Sequence, residues 1–106
     1  IKIMNNIKEQ IQNWIPTAQV KCNSYYSEQW QSQAPQLSVT FGRKYAKVMD
    51  ETSAWAFIAL TDDPSKGQAT GDLLKPASWA TPARHSRGNI LNGTAVYNQY
   101  GPAYLK

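Results

Sequence analysis

"LSVTFGRKYAKVMDETSAWAFIAL", residues 37–60, decides the fold class. Leu37, Val39 and Phe41 alternate with Ser38 and Thr40, the period of two expected of a half-buried strand. Gly42-Arg43 can turn the chain, and "KYAKVM" (44–49) offers a second strand. "DETS" is a turn by composition. "AWAFIAL" (54–60) is apolar on both faces, with Trp55 and Phe57 on one and Ile58 and Leu60 on the other. A strand of that kind belongs in the middle of a sheet. The three strands form an antiparallel meander.

Towards the N-terminus, Ile7, Ile11, Trp14 and Ile15 fall on one face of a helix. Asn6 caps it, Glu9 follows three residues on, and Pro16 ends it, so the helix is expected from about Asn6 to Trp14. Residues 17–35 are polar with Tyr25, Tyr26 and Trp30 interspersed, and read as a second short helix or an irregular segment. Met4 resembles a natural start, so Ile1-Lys2-Ile3 read as a vector remnant or upstream read-through.

Towards the C-terminus, "TDDPSKGQATGD" (61–72) is a polar loop and "LLK" a short returning strand. Residues 76–88 read as a long ordered loop, stiffened by Pro76 and Pro82 and anchored by Trp79. Asn92-Gly93 between "NIL" and "TAVYNQY" is a strong two-residue hairpin signal. The expected architecture is a single α+β domain over 1–106. An N-terminal helix packs on a small, mostly antiparallel sheet made of the meander and a C-terminal hairpin.

Totals narrow the function. At 106 residues the chain has apolar surface for one core only. Eleven Lys and Arg against seven Asp and Glu leave +4, which favours anionic partners. Cys22 is the single cysteine, so an intramolecular disulfide and a multi-cysteine zinc site are excluded, and a reducing compartment is favoured. No apolar run approaches the length of a membrane span, and no apolar block of a signal peptide stands at the N-terminus. No membrane role, metal or cofactor is expected.

Catalysis finds little support. His85 is the only imidazole, so a nucleophilic scheme would have to combine it with Cys22 and an orienting acid such as Asp72. Asp62, Asp63 and Asp72 could approach Mg²⁺, but acidic neighbours in turns are ordinarily solvated. "KGQATGD" lacks the Gly-Lys-Ser/Thr ending of a phosphate loop. Nucleic-acid binding has more to work with. Lys75, Arg84, His85 and Arg87 cluster around Trp79, and Arg43, Lys44 and Lys47 form a second basic set. Cations neutralise phosphates while an aromatic face stacks on an unpaired base. The competing structural account has Trp79 anchoring the loop and the arginines bonding backbone carbonyls or a carboxylate. Self-association is a third expectation, because the N-terminal helix and Tyr97, Tyr100, Tyr104 and Leu105 hold more apolar surface than a small sheet covers.

Gly71-Asp72, Lys75, Ser78-Trp79, Pro82-Ala83-Arg84 and Arg87-Gly88-Asn89 carry a resemblance. With "GRKYAKV" and "SAWAFIAL", they make residues 40–106 similar to small proteins of tailed bacteriophages, marine cyanophages among them. The resemblance implies the cytoplasm of an infected bacterium and action by binding: to single-stranded nucleic acid, to a host protein, or to copies of the same chain. It transfers no catalytic residue. The leading expectation is therefore a non-enzymatic phage accessory protein that forms homo-oligomers and binds nucleic acid through Arg43, Lys44, Lys47, Lys75, Trp79, Arg84, His85 and Arg87. A module docking on a host protein is the alternative, and a small enzyme using His85 comes third.

Overall fold

A computed structural model describes residues 7–103. The Asn6 cap, residues 1–3, and Tyr104 and Leu105 lie outside the described residues. Helix α1 spans Ile7–Asn23, nine residues beyond the expected end at Trp14, with Pro16 inside it. The reason is where Pro16 sits. Gln12, Asn13, Pro16 and Thr17 are all exposed, so the carbonyl left without an N–H faces water. Beyond the proline, Ala18 and Cys22 continue the buried stripe begun by Ile11, and this packing offsets the lost bond. Gln19 ties the helix to the sheet: its amide donates to the Pro35 carbonyl at 2.6 Å and accepts from the Leu37 N–H at 2.8 Å. The intervening segment holds one short 3-10 helix, Glu28–Gln33.

Strands β1 (Leu37–Phe41), β2 (Tyr45–Asp50), β3 (Ser53–Ala59), β4 (Asp72–Pro76) and β5 (Pro82–Asn89) form one sheet in chain order. Every neighbouring pair is antiparallel, and the doubly apolar β3 is central as expected. Register sorts the side chains. Phe41, Ala46, Ile58 and Leu73 are cross-strand neighbours, as are Val39, Val48 and Ala56, and these face the helix. Ile11, Ile58 and Leu73 are fully buried there, each contributing about 1.5–3 kcal/mol of transfer free energy. Thr40, Lys47, Phe57, Leu74 and Ser86 form the corresponding row on the opposite face.

Trp55 corrects the expected facing. Val48 pairs with Ala56 and Met49 with Ala54, so Trp55 is the extra residue of a bulge. The bulge turns its indole into the helix-side core, away from Phe57. Tyr97 meets it there, edge-on at 5.8 Å, and also meets Trp14 of α1 edge-on at 5.3 Å. The Trp55 indole N–H donates to the Gln99 carbonyl at 3.2 Å. These contacts seat the terminal hairpin, β6 (Tyr97–Asn98) and β7 (Gly101–Pro102), against β3 and β4.

Two expectations for the C-terminal third are corrected. Residues 82–89 are a strand rather than part of a long loop, because the irregular β4–β5 pairing absorbs a polar sequence with no alternation. Only residues 77–81 turn, closed by the Ala77 N–H donating to the Thr81 carbonyl at 2.8 Å. Asn92-Gly93 does reverse the chain, but the hairpin strands lie further on, at β6 and β7. Residues 94–96 instead run back along β5: the Val96 N–H donates to the Arg87 carbonyl at 2.8 Å.

That return requires glycine at one position. Gly88 has φ of 96°, and a Cβ there would land on the Thr94 carbonyl. Gly93 has φ of 76° but open space around it. Gly88→Ala is expected to cost about 3 kcal/mol or more, and Gly93→Ala only about 1 kcal/mol. Urea denaturation followed by tryptophan fluorescence measures both, and equal losses would contradict the packed return.

Candidate nucleic-acid interface

The β4–β5 turn lies on the sheet face away from α1, where Phe57 and Leu74 are buried. Trp79, at the tip of that turn, bends over β2, and its indole N–H donates to the Thr52 carbonyl at 3.0 Å. The Lys47 ammonium lies 3.1 Å from the centre of the Trp79 ring and 5.8 Å from that of Phe57. A cation against one face and a hydrogen bond at the edge fix the ring, yet the residue remains 60% exposed. The indole is held and its outer side is open.

Beside it is a shallow hollow of about 330 Å³, lined by Thr40, Arg43, Lys44, Lys47, Phe57 and Ala80, among others. Arg43 and Lys44 are exposed in the β1–β2 turn, which closes with the Gly42 N–H donating to the Tyr45 carbonyl at 2.9 Å. Lys47 reaches the hollow because it is cross-strand to Phe57 on this face. The first basic set is thus assembled, together with Trp79.

The second basic set is divided. The Arg84 guanidinium donates to the Ser65 carbonyl at 2.9 Å and reaches the Lys66 carbonyl at 3.5 Å, fastening the loop before β4. The buried Gln68 completes that attachment, donating to the Arg84 carbonyl and accepting from the Tyr45 hydroxyl, both at 2.9 Å. Arg87 points elsewhere, to the Ala103 carbonyl at 2.9 Å and the His85 carbonyl at 2.6 Å. Lys75 donates to the Pro102 carbonyl at 3.1 Å, and burial with the nearby Arg87 charge lowers its pKa. These three cations bind backbone carbonyls, the structural account raised from the sequence. The His85 ring is exposed on β5.

The components of the catalytic alternatives are dispersed over different duties. Cys22 is buried in the core, and burial, reinforced by Asp50, pushes its thiol up to about 11. Asp72 accepts from the Asn89 amide and the Ala69 N–H, each at 2.9 Å. Asp62 accepts from the Thr70 N–H and hydroxyl, which lowers its pKa. Asp63 is lowered chiefly by the Ser65 hydroxyl, with Lys66 and Lys44 adding to it. Among the described residues no group of three His, Cys, Asp or Glu is placed to hold a metal ion. No helix among them is long and apolar enough to cross a membrane.

Sequence reasoning missed Phe57 as a wall of the hollow and the Thr52 carbonyl as the lock on Trp79. Phe57 was visible as an alternating strand residue, but nothing in the sequence joins it to a turn more than twenty positions on.

A family of unknown function, DUF7717, matches residues 2–100. The chain belongs to this family. The DUF7717 match takes in α1, which the bacteriophage resemblance left out, so the helix and the sheet it covers fall within one family unit. No curated protein and no solved structure matches the chain.

Two measurements check this division of labour. Arg87→Ala is expected to lower unfolding stability by about 1–2 kcal/mol, through two lost charged hydrogen bonds, whereas Arg43→Ala changes it by less than about 0.5 kcal/mol. For Cys22, the native thiol binds its proton more tightly than the unfolded one. Stability therefore falls as pH rises from its ordinary pKa of 9.0 towards about 11. Below that window a thiol reagent should label Cys22 slowly in the native protein and rapidly in urea; equal rates would contradict its burial.

Proposed function

We propose that this chain is a non-enzymatic binding protein whose sheet face engages single-stranded nucleic acid, in the cytoplasm of a bacteriophage-infected bacterium. The observation that carries the reading is the open, pre-oriented indole of Trp79 beside Arg43, Lys44 and Lys47. A base stacks on the outer side of the indole while phosphates follow the three cations, the division used by sequence-tolerant single-strand binders. Because Lys47 and the Thr52 carbonyl already hold the ring, little side-chain freedom is lost on binding. The phage setting rests on the sequence resemblance alone. Lys75, Arg84 and Arg87 support the scaffold instead, and His85 has no assigned part in the contact.

Docking on a host protein is the second reading, favoured by a separate observation. Val20, Tyr25 and Trp30 are 68%, 46% and 55% exposed, around the end of α1 and the 3-10 helix that follows it.

The test is a titration with mixed-sequence single-stranded DNA across a salt series, read by tryptophan fluorescence for the parent chain and by anisotropy of a labelled oligonucleotide for the variants. Trp79→Ala is expected to weaken binding about 5- to 150-fold, the range of a lost stacking contact. Arg43→Ala should also flatten the log–log salt slope by about 0.7. Arg84→Ala and Arg87→Ala should leave affinity close to that of the parent. Absence of saturable quenching at low salt would remove the nucleic-acid reading and leave the protein partner.

A further inference from the structure

The two edges of the sheet are treated differently. At the β5 edge, residues 94–96 return alongside the strand, and the Thr94 and Val96 N–H groups donate to the Asn89 and Arg87 carbonyls at 3.1 and 2.8 Å. The β1 edge has no such cover among the described residues. Its bond pattern follows from the turn beside it. Gly42 and Tyr45 are a hydrogen-bonded pair, so two residues back Thr40 bonds to Lys47, and then Ser38 to Met49. The N–H and C=O groups of Val39 and Phe41, and the Leu37 carbonyl, therefore point away from the sheet. Among the described residues the Leu37 N–H has a partner on that side, the Gln19 side chain. Natural sheets protect such an edge with proline, lysine or a bulge. Leu37–Phe41 contains none of these, and its five pairs with β2 are regular.

We infer that this edge pairs with the β1 edge of a second copy of the chain, joining two sheets into one of ten strands. The sequence of β1 is self-complementary about Val39. A two-fold axis at that residue sets Val39 against the partner's Val39, Phe41 against Leu37 and Ser38 against Thr40. Apolar side chains then meet on the helix side and hydroxyls on the other, with no like charges opposed. Val39 N–H groups reach Val39 carbonyls across the axis, and each Phe41 pairs through both its N–H and its carbonyl with Leu37 of the other copy, whose N–H exchanges Gln19 for that carbonyl. Charge agrees at both ends of the new ladder. Arg43 of each copy comes to residues 35–37 of the other, where Asp50 accepts from the Gln36 N–H at 3.1 Å. An axis perpendicular to the sheet keeps both helices on one side. Apart from Arg43, the pairing uses none of the residues proposed above to bind nucleic acid.

Sedimentation velocity of the full chain over a wide concentration series, without nucleic acid, tests this. A mass twice that of the monomer is expected at high concentration, falling to the monomer's on dilution. Val39→Pro removes an outward N–H and leaves the β1–β2 bonds in place, so it should give a folded monomer. Oxidation of mixed Ser38→Cys and Thr40→Cys proteins should give the mixed cross-linked dimer, since that pair lies about 4.5 Å apart between Cα atoms in the proposed register. Each variant alone should cross-link poorly. This second measurement decides the matter should Val39→Pro fail to fold. A monomer at every concentration would overturn the inference, as would a dimer lacking the mixed cross-link.

Discussion

Tyr97 is the contact on which the rest of the structure depends. Its ring lies between Trp14 of the helix and Trp55 of the central strand, with the Lys21 ammonium 4.3 Å from its centre. Burial, with smaller contributions from Cys22 and Tyr25, raises its pKa and favours the neutral phenol. One side chain from the last third of the chain thus joins the N-terminal helix to the middle of the sheet. Two further constraints follow from it. Gly101 must lie against the Trp55 carbonyl, where a Cβ would approach to 2.8 Å, and residues 101–103 must pass close to β4 and β5. Their carbonyls then need donors, and Lys75 and Arg87 supply them.

This explains why the basic residues divide as they do. A cation bonded to a backbone carbonyl inside the molecule serves the fold, and releasing it for a phosphate would leave that carbonyl unpaired. The cations of the first turn carry no such duty in holding the hairpin. Arg43 and Lys44 are exposed, and Lys47 has exchanged part of its hydration for the face of Trp79. The fold itself sorts structural from available charge.

How much of this could be read from the sequence depended on whether a residue's neighbours were local. The meander was legible because alternation in "LSVTF" and the doubly apolar "AWAFIAL" are properties of single strands. The helix was underestimated because Pro16 was read as a stop, and only tertiary packing of Ala18 and Cys22 shows why it continues. "PARHSRGN" has neither alternation nor β-branched residues, so its strand state comes from β4 and the returning segment. Read as a loop, it made Arg84 and Arg87 one patch. In an extended chain residues three apart project to different sides, and these two serve different segments. The Trp79 platform was half legible: the residue and the cations were singled out, but not the Lys47 contact that orients the ring.

The central claim is that one basic set binds while the other holds the fold together. The most direct test is an amide and indole NMR titration of the labelled protein with a short single-stranded oligonucleotide. The account predicts shifts concentrated at residues 43–47 and 79–80, including the Trp79 indole N–H, with residues 84–87 and 101–103 unmoved. Shifts centred on Arg84, His85 and Arg87, with Trp79 unaffected, would contradict it.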